Sequence, residues 1–202
     1  AVDWETTAQK IENQKAAGEL VQASLPHGHT FLRLCDIRGY ENLVMDMFEN
    51  NHRLGQLIEM ITSFNLAVVH RFVQLGVDWI GYPEDLGMQV GPMITPVHFR
   101  QFIVPVYRRL VAPARQAGCI VHMHSDGDIR ALVDDLIAGG VEVINLQDLV
   151  NGVEWIAGRF AGKTCVDLDI DRQSVTRFGT PAQIETMIRE EGRQVGRVEG
   201  RL

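Results

Sequence analysis

Short apolar runs alternate along the chain with longer stretches of helical periodicity. Five runs read as strands: Thr30–Asp36, Val77–Tyr82, Cys119–His124, Val141–Leu146 and Thr164–Ile170. Helical patterns cover Trp4–Ser24, Glu41–Leu75, Pro96–Ala117, Ile129–Ala138 and Gly152–Phe160. A last helix follows Thr180-Pro181, where Thr suits the cap and Pro the first turn. Strands that alternate with helices predict βα units and a parallel sheet.

The faces of the strands refine this. In CVDLDID, Val166, Leu168 and Ile170 point one way, and Asp167, Asp169 and Asp171 the other. In IVHMHSD, Ile120, His122, His124 and Asp126 share a face opposite Val121 and Met123. An open sheet covered by helices on both sides is apolar on both faces. A barrel is apolar toward its helices and turns polar at its mouth. The pattern therefore fits either part of a (β/α)8 barrel or a smaller α/β sheet, and the polar strand ends favour the (β/α)8 barrel type. About five βα units of it fall within this single domain of 202 residues.

Composition narrows the function. A net charge of −7 and a pI near 5.5 leave no basic surplus for nucleic acid. No apolar run is long enough for a membrane helix. Cys35, Cys119 and Cys165 are scattered and odd in number, which points to reduced thiols and a cytoplasmic location.

The candidate chemistry gathers at the C-terminal strand ends, where parallel α/β proteins bind ligands. Glu84, Asp85 and Gln89 follow one strand, and His124 and Asp126 close another. Gln147 and Asp148 follow the fourth, Asp169, Asp171 and Gln173 the fifth, and Asp36 and Arg38 the first. Carboxylates with imidazole suit a metal or acid/base work. Bland roles stand beside these. Asp126 or Asp128 can cap the helix after Gly127. His122 reads as an interior hydrogen-bonded histidine, His27 and His29 as surface loop, and Cys165 as a core thiol.

At these residues the chain resembles the uroporphyrinogen decarboxylase superfamily. The resemblance rests on GYENLVMDMFEN, EDLGMQVGPMITPVHFRQFIVPVYRRL, HSDGDI, INLQD and DIDRQSVTRFGTP, in that order, and spans about Asp36 to Glu191. It implies a (β/α)8 barrel whose first third and last strand lie outside these residues. An isolated piece of this kind is expected to expose sheet edges and associate.

The resemblance also implies two chemistries. Decarboxylases of the superfamily remove acetate carboxylates from a tetrapyrrole without a cofactor. Its methyltransferases use zinc held by a His-x-Cys pair and a later Cys, and act with corrinoid proteins or thiol acceptors. His124 matches the zinc histidine, and Asp126 stands where the cysteine would be. A carboxylate is a harder ligand than thiolate, so zinc or a harder divalent ion is the implied metal. The methyltransferase-like reading gives His124 and Asp126 the metal, Glu84, Asp85 and Asp171 catalysis, and Arg38, Gln89, Gln147, Asp169 and Gln173 the substrate. A small molecule, a corrinoid partner and a homodimer follow from it. Tetrapyrrole decarboxylation, with Arg38, Arg100 and Arg130 as visible cations, stays open. So does a non-catalytic binding protein.

Overall fold

A computed structural model describes residues 3–160 and 162–196. Helix α1 (Trp4–Ala16) is capped by Asp3, whose carboxylate accepts from the N–H groups of Glu5 and Thr6. Strand β1 (Gln22–Ser24) follows, then helices α2 (Phe31–Arg38), α3 (Tyr40–Phe48) and α4 (His52–Leu75). Strand β2 (Trp79–Asp85) leads into a small hairpin, β3 (Gly87–Met88) and β4 (Gly91–Pro92). The helical run α5 (Pro96–His98) and α6 (Val104–Gln116) is joined by a π-helical turn at Phe99–Ile103. Then come β5 (Ile120–Asp126), α7 (Val133–Ala138), β6 (Val143–Gln147), α8 (Asp148–Asn151), α9 (Val153–Phe160) and β7 (Cys165–Asp169). Helices α10 (Val175–Phe178) and α11 (Pro181–Val195) close the described chain.

The main sheet has the order β1-β2-β5-β6-β7, every pair parallel. Spatial order thus equals chain order. A doubly wound sheet reverses its order at a switch point, and this one does not. It is the arc of a (β/α)8 barrel, as the strand faces predicted. Among the described residues β1 and β7 each have one neighbouring strand.

Burial follows the pleat. Ile80, Tyr82, Glu84, Val121, Met123, Ser125, Ile144 and Leu146 are buried toward the helices. The alternate positions, His122, His124, Asp126, Asn145 and Gln147, are half-buried on the concave side. Helix α6 supplies much of the covering layer through Val106, Tyr107, Leu110 and Val111. Each fully buried aliphatic or aromatic side chain in this layer contributes about 1.5–3 kcal/mol.

Three expectations are overturned here. The run Thr30–Asp36 is not a strand but most of helix α2. Its buried residues, Phe31 and Leu34, are three apart, and Arg33 pairs with Asp36 at 3.3 Å on the outer side. That spacing satisfies a helix as well as a short strand. The first strand is instead Gln22–Ser24, inside the segment expected to be helical. Gly18, at φ +73°, follows the last turn of α1 and ends that helix well before it. The expected helix Glu41–Leu75 is broken at Glu49–Asn51, where Asn50 takes φ +51° and Asn51 caps α4.

Candidate functional site

The pleat separates residues that sequence reasoning had placed together. Glu84 and Asp85 are neighbours on β2 and so point to opposite faces. Asp85 faces the concave side. Its Oδ1 lies 3.3 Å from His27 Nε2 and 3.6 Å from His124 Nε2. Parallel register sets Pro83 beside His124 and Asp85 beside Asp126, which brings these side chains level across the sheet. The ligand atoms of His27, Asp85 and His124 all lie within 4.8 Å of one another.

His124 is fixed by β6. Its Nδ1 meets the Asn145 side-chain oxygen, while Asn145 Nδ2 donates to the Asp167 carbonyl at 2.8 Å. With its amide nitrogen so used, Asn145 presents an acceptor, to which His124 donates from Nδ1. Nε2 is thereby turned toward Asp85. A ligating histidine is held in this way, by a hydrogen bond at its other nitrogen.

Asp126 lies 3.6 Å from His124 Nε2, but it is engaged from the other side. Arg172 NH2 reaches Asp126 at 2.6 Å and Asp169 at 2.9 Å. Burial raises the Asp169 carboxyl above the usual range, and Arg172 pulls it back. His124 Nε2 thus has two carboxylates at the same distance, Asp85 and Asp126, and Asp126 is also held in an Asp–Arg–Asp bridge. Asp85 is the group that meets both histidines. His27, read as surface loop, is exposed on its turn and reaches Asp85 from there.

Beside this group opens a cleft of about 390 Å³ lined by Met88, Gln89, Asp126, Gln147, Arg172 and Gln173. Three of the expected substrate-binding residues, Gln89, Gln147 and Gln173, therefore share one space. Gln147 also accepts the Gly127 N–H at 2.9 Å. Gly127 and Gly87 touch backbone to backbone, and a Cβ on Gly127 would meet the Gly87 carbonyl carbon at 2.1 Å. The bond from Asp128 N–H to the Met88 carbonyl, 2.7 Å, closes this junction and sets the hairpin over the strand ends.

Three expected site residues have other work. Glu84 is fully buried and accepts from the backbone N–H groups of Thr30, Phe31 and Leu32 and from the Tyr107 hydroxyl. Burial pushes its carboxyl up, and those four donors pull against it. Asp171 accepts from the N–H groups of Gln173, Ser174 and Val175 and from the Ser174 hydroxyl. These bonds hold its carboxyl down at about 2, which suits a cap and not a general acid. Arg38 is gripped by Asp46 at 2.6 Å.

The smaller readings divide. His122 is hydrogen-bonded to Asp167 at 3.0 Å and packs against Trp79, as expected of an interior histidine. Asp128, not Asp126, turns the chain after Gly127, accepting the Arg130 N–H at 3.1 Å. Cys165 is exposed and not a core thiol, and His29 is buried and not a loop surface.

The sequence matches the uroporphyrinogen decarboxylase (URO-D) family over residues 31–196. The fold is similar to that of a methyltransferase from Methanosarcina mazei, with a TM-score of 0.69 at 14% identity. That match covers 95% of this chain and 55% of the other, so the chain spans about half the length of that structure. No curated protein matches the sequence. Among the described residues no helix is long and apolar enough to cross a membrane.

Proposed function

The chain belongs to the uroporphyrinogen decarboxylase family, and from that premise we propose that it carries the site of a metal-assisted, methyltransferase-like enzyme. The observation that supports this is the convergence of His27, Asp85 and His124. Two imidazoles and one carboxylate are the donor set of a catalytic zinc-type site. Ligands of one such ion stand roughly 3.3–3.5 Å apart, given bonds of about 2.0–2.2 Å. Asp85 already meets both histidines near that spacing, at 3.3 and 3.6 Å. The donor set therefore fits a borderline divalent ion. Such an ion, when bound, supplies Lewis acidity or lowers the pKa of a thiol or water beside it.

The chain's own groups do the rest. Asn145 keeps the His124 ring turned with Nε2 toward Asp85. Arg172 bridges Asp126 and Asp169 and offsets part of their negative charge beside the site. Gln89, Gln147 and Gln173 offer amide donors and acceptors to a small polar substrate in the adjoining cleft. A thiol or a corrinoid protein is the acceptor or partner this reading calls for.

Tetrapyrrole decarboxylation is the second reading, and the ion pairs count against it. A polycarboxylate substrate needs free guanidinium groups for bidentate binding. Here Arg38 is paired with Asp46, Arg100 with Asp135, Arg130 with Asp128, and Arg172 with two aspartates.

Metal analysis of the whole protein, purified without chelator, tests the proposal beside His27→Ala and His124→Ala. About one zinc-like ion per chain, lost in both variants, is expected. Metal-free wild-type protein that takes up no zinc and converts uroporphyrinogen would replace this reading with the second.

A further inference from the structure

His27 lies in a turn with no regular structure to hold it, yet it must meet Asp85 and His124 closely. The turn is held from three sides. Gly28 N–H donates to the Pro83 carbonyl at 3.0 Å, so the turn runs alongside β2 beyond the end of β1. Asn65, from α4, donates to the His29 carbonyl at 2.7 Å. Glu84, from β2, accepts from Thr30 N–H at 3.2 Å, Phe31 N–H at 2.5 Å and Leu32 N–H at 3.4 Å.

The last contact is a helix cap made from a distant strand. Thr30 occupies the cap position of α2, but its side chain makes no cap bond; its hydroxyl faces His29 Nδ1 at 2.7 Å. Three N–H groups that a local side chain would otherwise serve turn to Glu84 instead. All four partners of Glu84 donate, which is the arrangement a carboxylate requires and an amide cannot reproduce. Glu84 is itself held by the Tyr107 hydroxyl at 2.7 Å. The next residue on the strand is Asp85. One dipeptide thus faces two ways: its first side chain grips the turn and its second enters the group that His27 joins.

We infer that Glu84 is the positioning residue for His27, fixing the turn that brings this imidazole against Asp85 on the neighbouring residue of the same strand. The inference rests on the metal reading above for its consequence, though not for its geometry. The Glu84 side chain contacts none of the candidate ligand side chains, and it acts on His27 through the Thr30–Leu32 backbone.

Zinc titration of the metal-stripped whole protein tests this with Glu84→Gln, His27→Ala and the double variant. Glu84→Gln is expected to weaken zinc binding about tenfold, as loss of an outer support does. His27→Ala should lose at least as much, and the double variant no more than His27→Ala alone. The cobalt-loaded Glu84→Gln protein should shift its visible bands in the direction His27→Ala shifts them. Wild-type zinc affinity in Glu84→Gln, or losses that add in the double variant, would overturn the inference. Amide hydrogen exchange over residues 27–32, read without metal, separates it from the metal reading. Faster exchange there in Glu84→Gln is expected, and unchanged protection would overturn the anchoring even in a protein that binds no zinc. A wild type that binds no zinc defeats the metal reading only. Tyr107→Phe, which removes one of the four donors, serves as the milder variant if Glu84→Gln does not fold.

Discussion

Asn145 accepts the Nδ1 proton of His124 across the β5–β6 pair and secures itself by donating to the Asp167 carbonyl. The pair is set by register, since His124 and Asn145 are direct partners in the ladder. Replacing Asn145 by Leu removes the acceptor while leaving the ring in place. Zinc affinity is then expected to fall about 10- to 100-fold, measured by competition with a chelating dye. Unchanged affinity would show that the ring is oriented by something else.

The two aspartates beside His124 should behave differently. Asp85 faces both imidazoles, whereas Asp126 is drawn to Arg172 at 2.6 Å. Asp85→Asn is expected to cost about tenfold or more in metal affinity, and Asp126→Asn less than about threefold. The reverse order would return the metal to the His124/Asp126 pair.

Gly127 carries the hairpin. It sits at φ +79°, and any Cβ there would run into Gly87. Gly127→Ala should destabilise the fold by about 2 kcal/mol or more, from the left-handed backbone and the forced separation together. Denaturant unfolding measures the loss. The Gln89 side of the cleft should also loosen, seen as faster exchange of the Asp128 amide.

His29 predicts an acid-side weakness. Burial holds it down to about 3, against 6.5 for a free histidine. Between those values the unfolded chain binds a proton that the folded chain refuses, so stability is complete above about 6.5 and falls as pH drops toward 3. The slope is about 1.4 kcal/mol per pH unit. From pH 7 to pH 5 the loss should be roughly 2 kcal/mol, and His29→Gln should show that much less acid dependence than the wild type. Equal pH profiles for the two proteins would remove His29 as the cause.

The strands β5 and β7 were legible because their alternation of apolar and polar residues is the pleat itself, and it set His122, His124 and Asp126 on one face and Asp167 and Asp169 on another; β2 and β6 were legible as short apolar runs between helical stretches. Strand β1, at three residues, is too short to show a period. The run after Thr30 holds apolar residues that suit either a strand or a helix. What settles it is Glu84, far off in the chain, which caps the helix there.

Sequence by itself determined the βα alternation, the family and the polar mouth, because these depend on side-chain period and local order. Tertiary structure decided who meets whom at that mouth. Strand pleat sent Glu84 and Asp85 to opposite faces, parallel register levelled Asp85 with Asp126, and a turn gripped from β2 delivered His27. These are relations between residues distant in sequence, and only the packed sheet brings their side chains within bonding range.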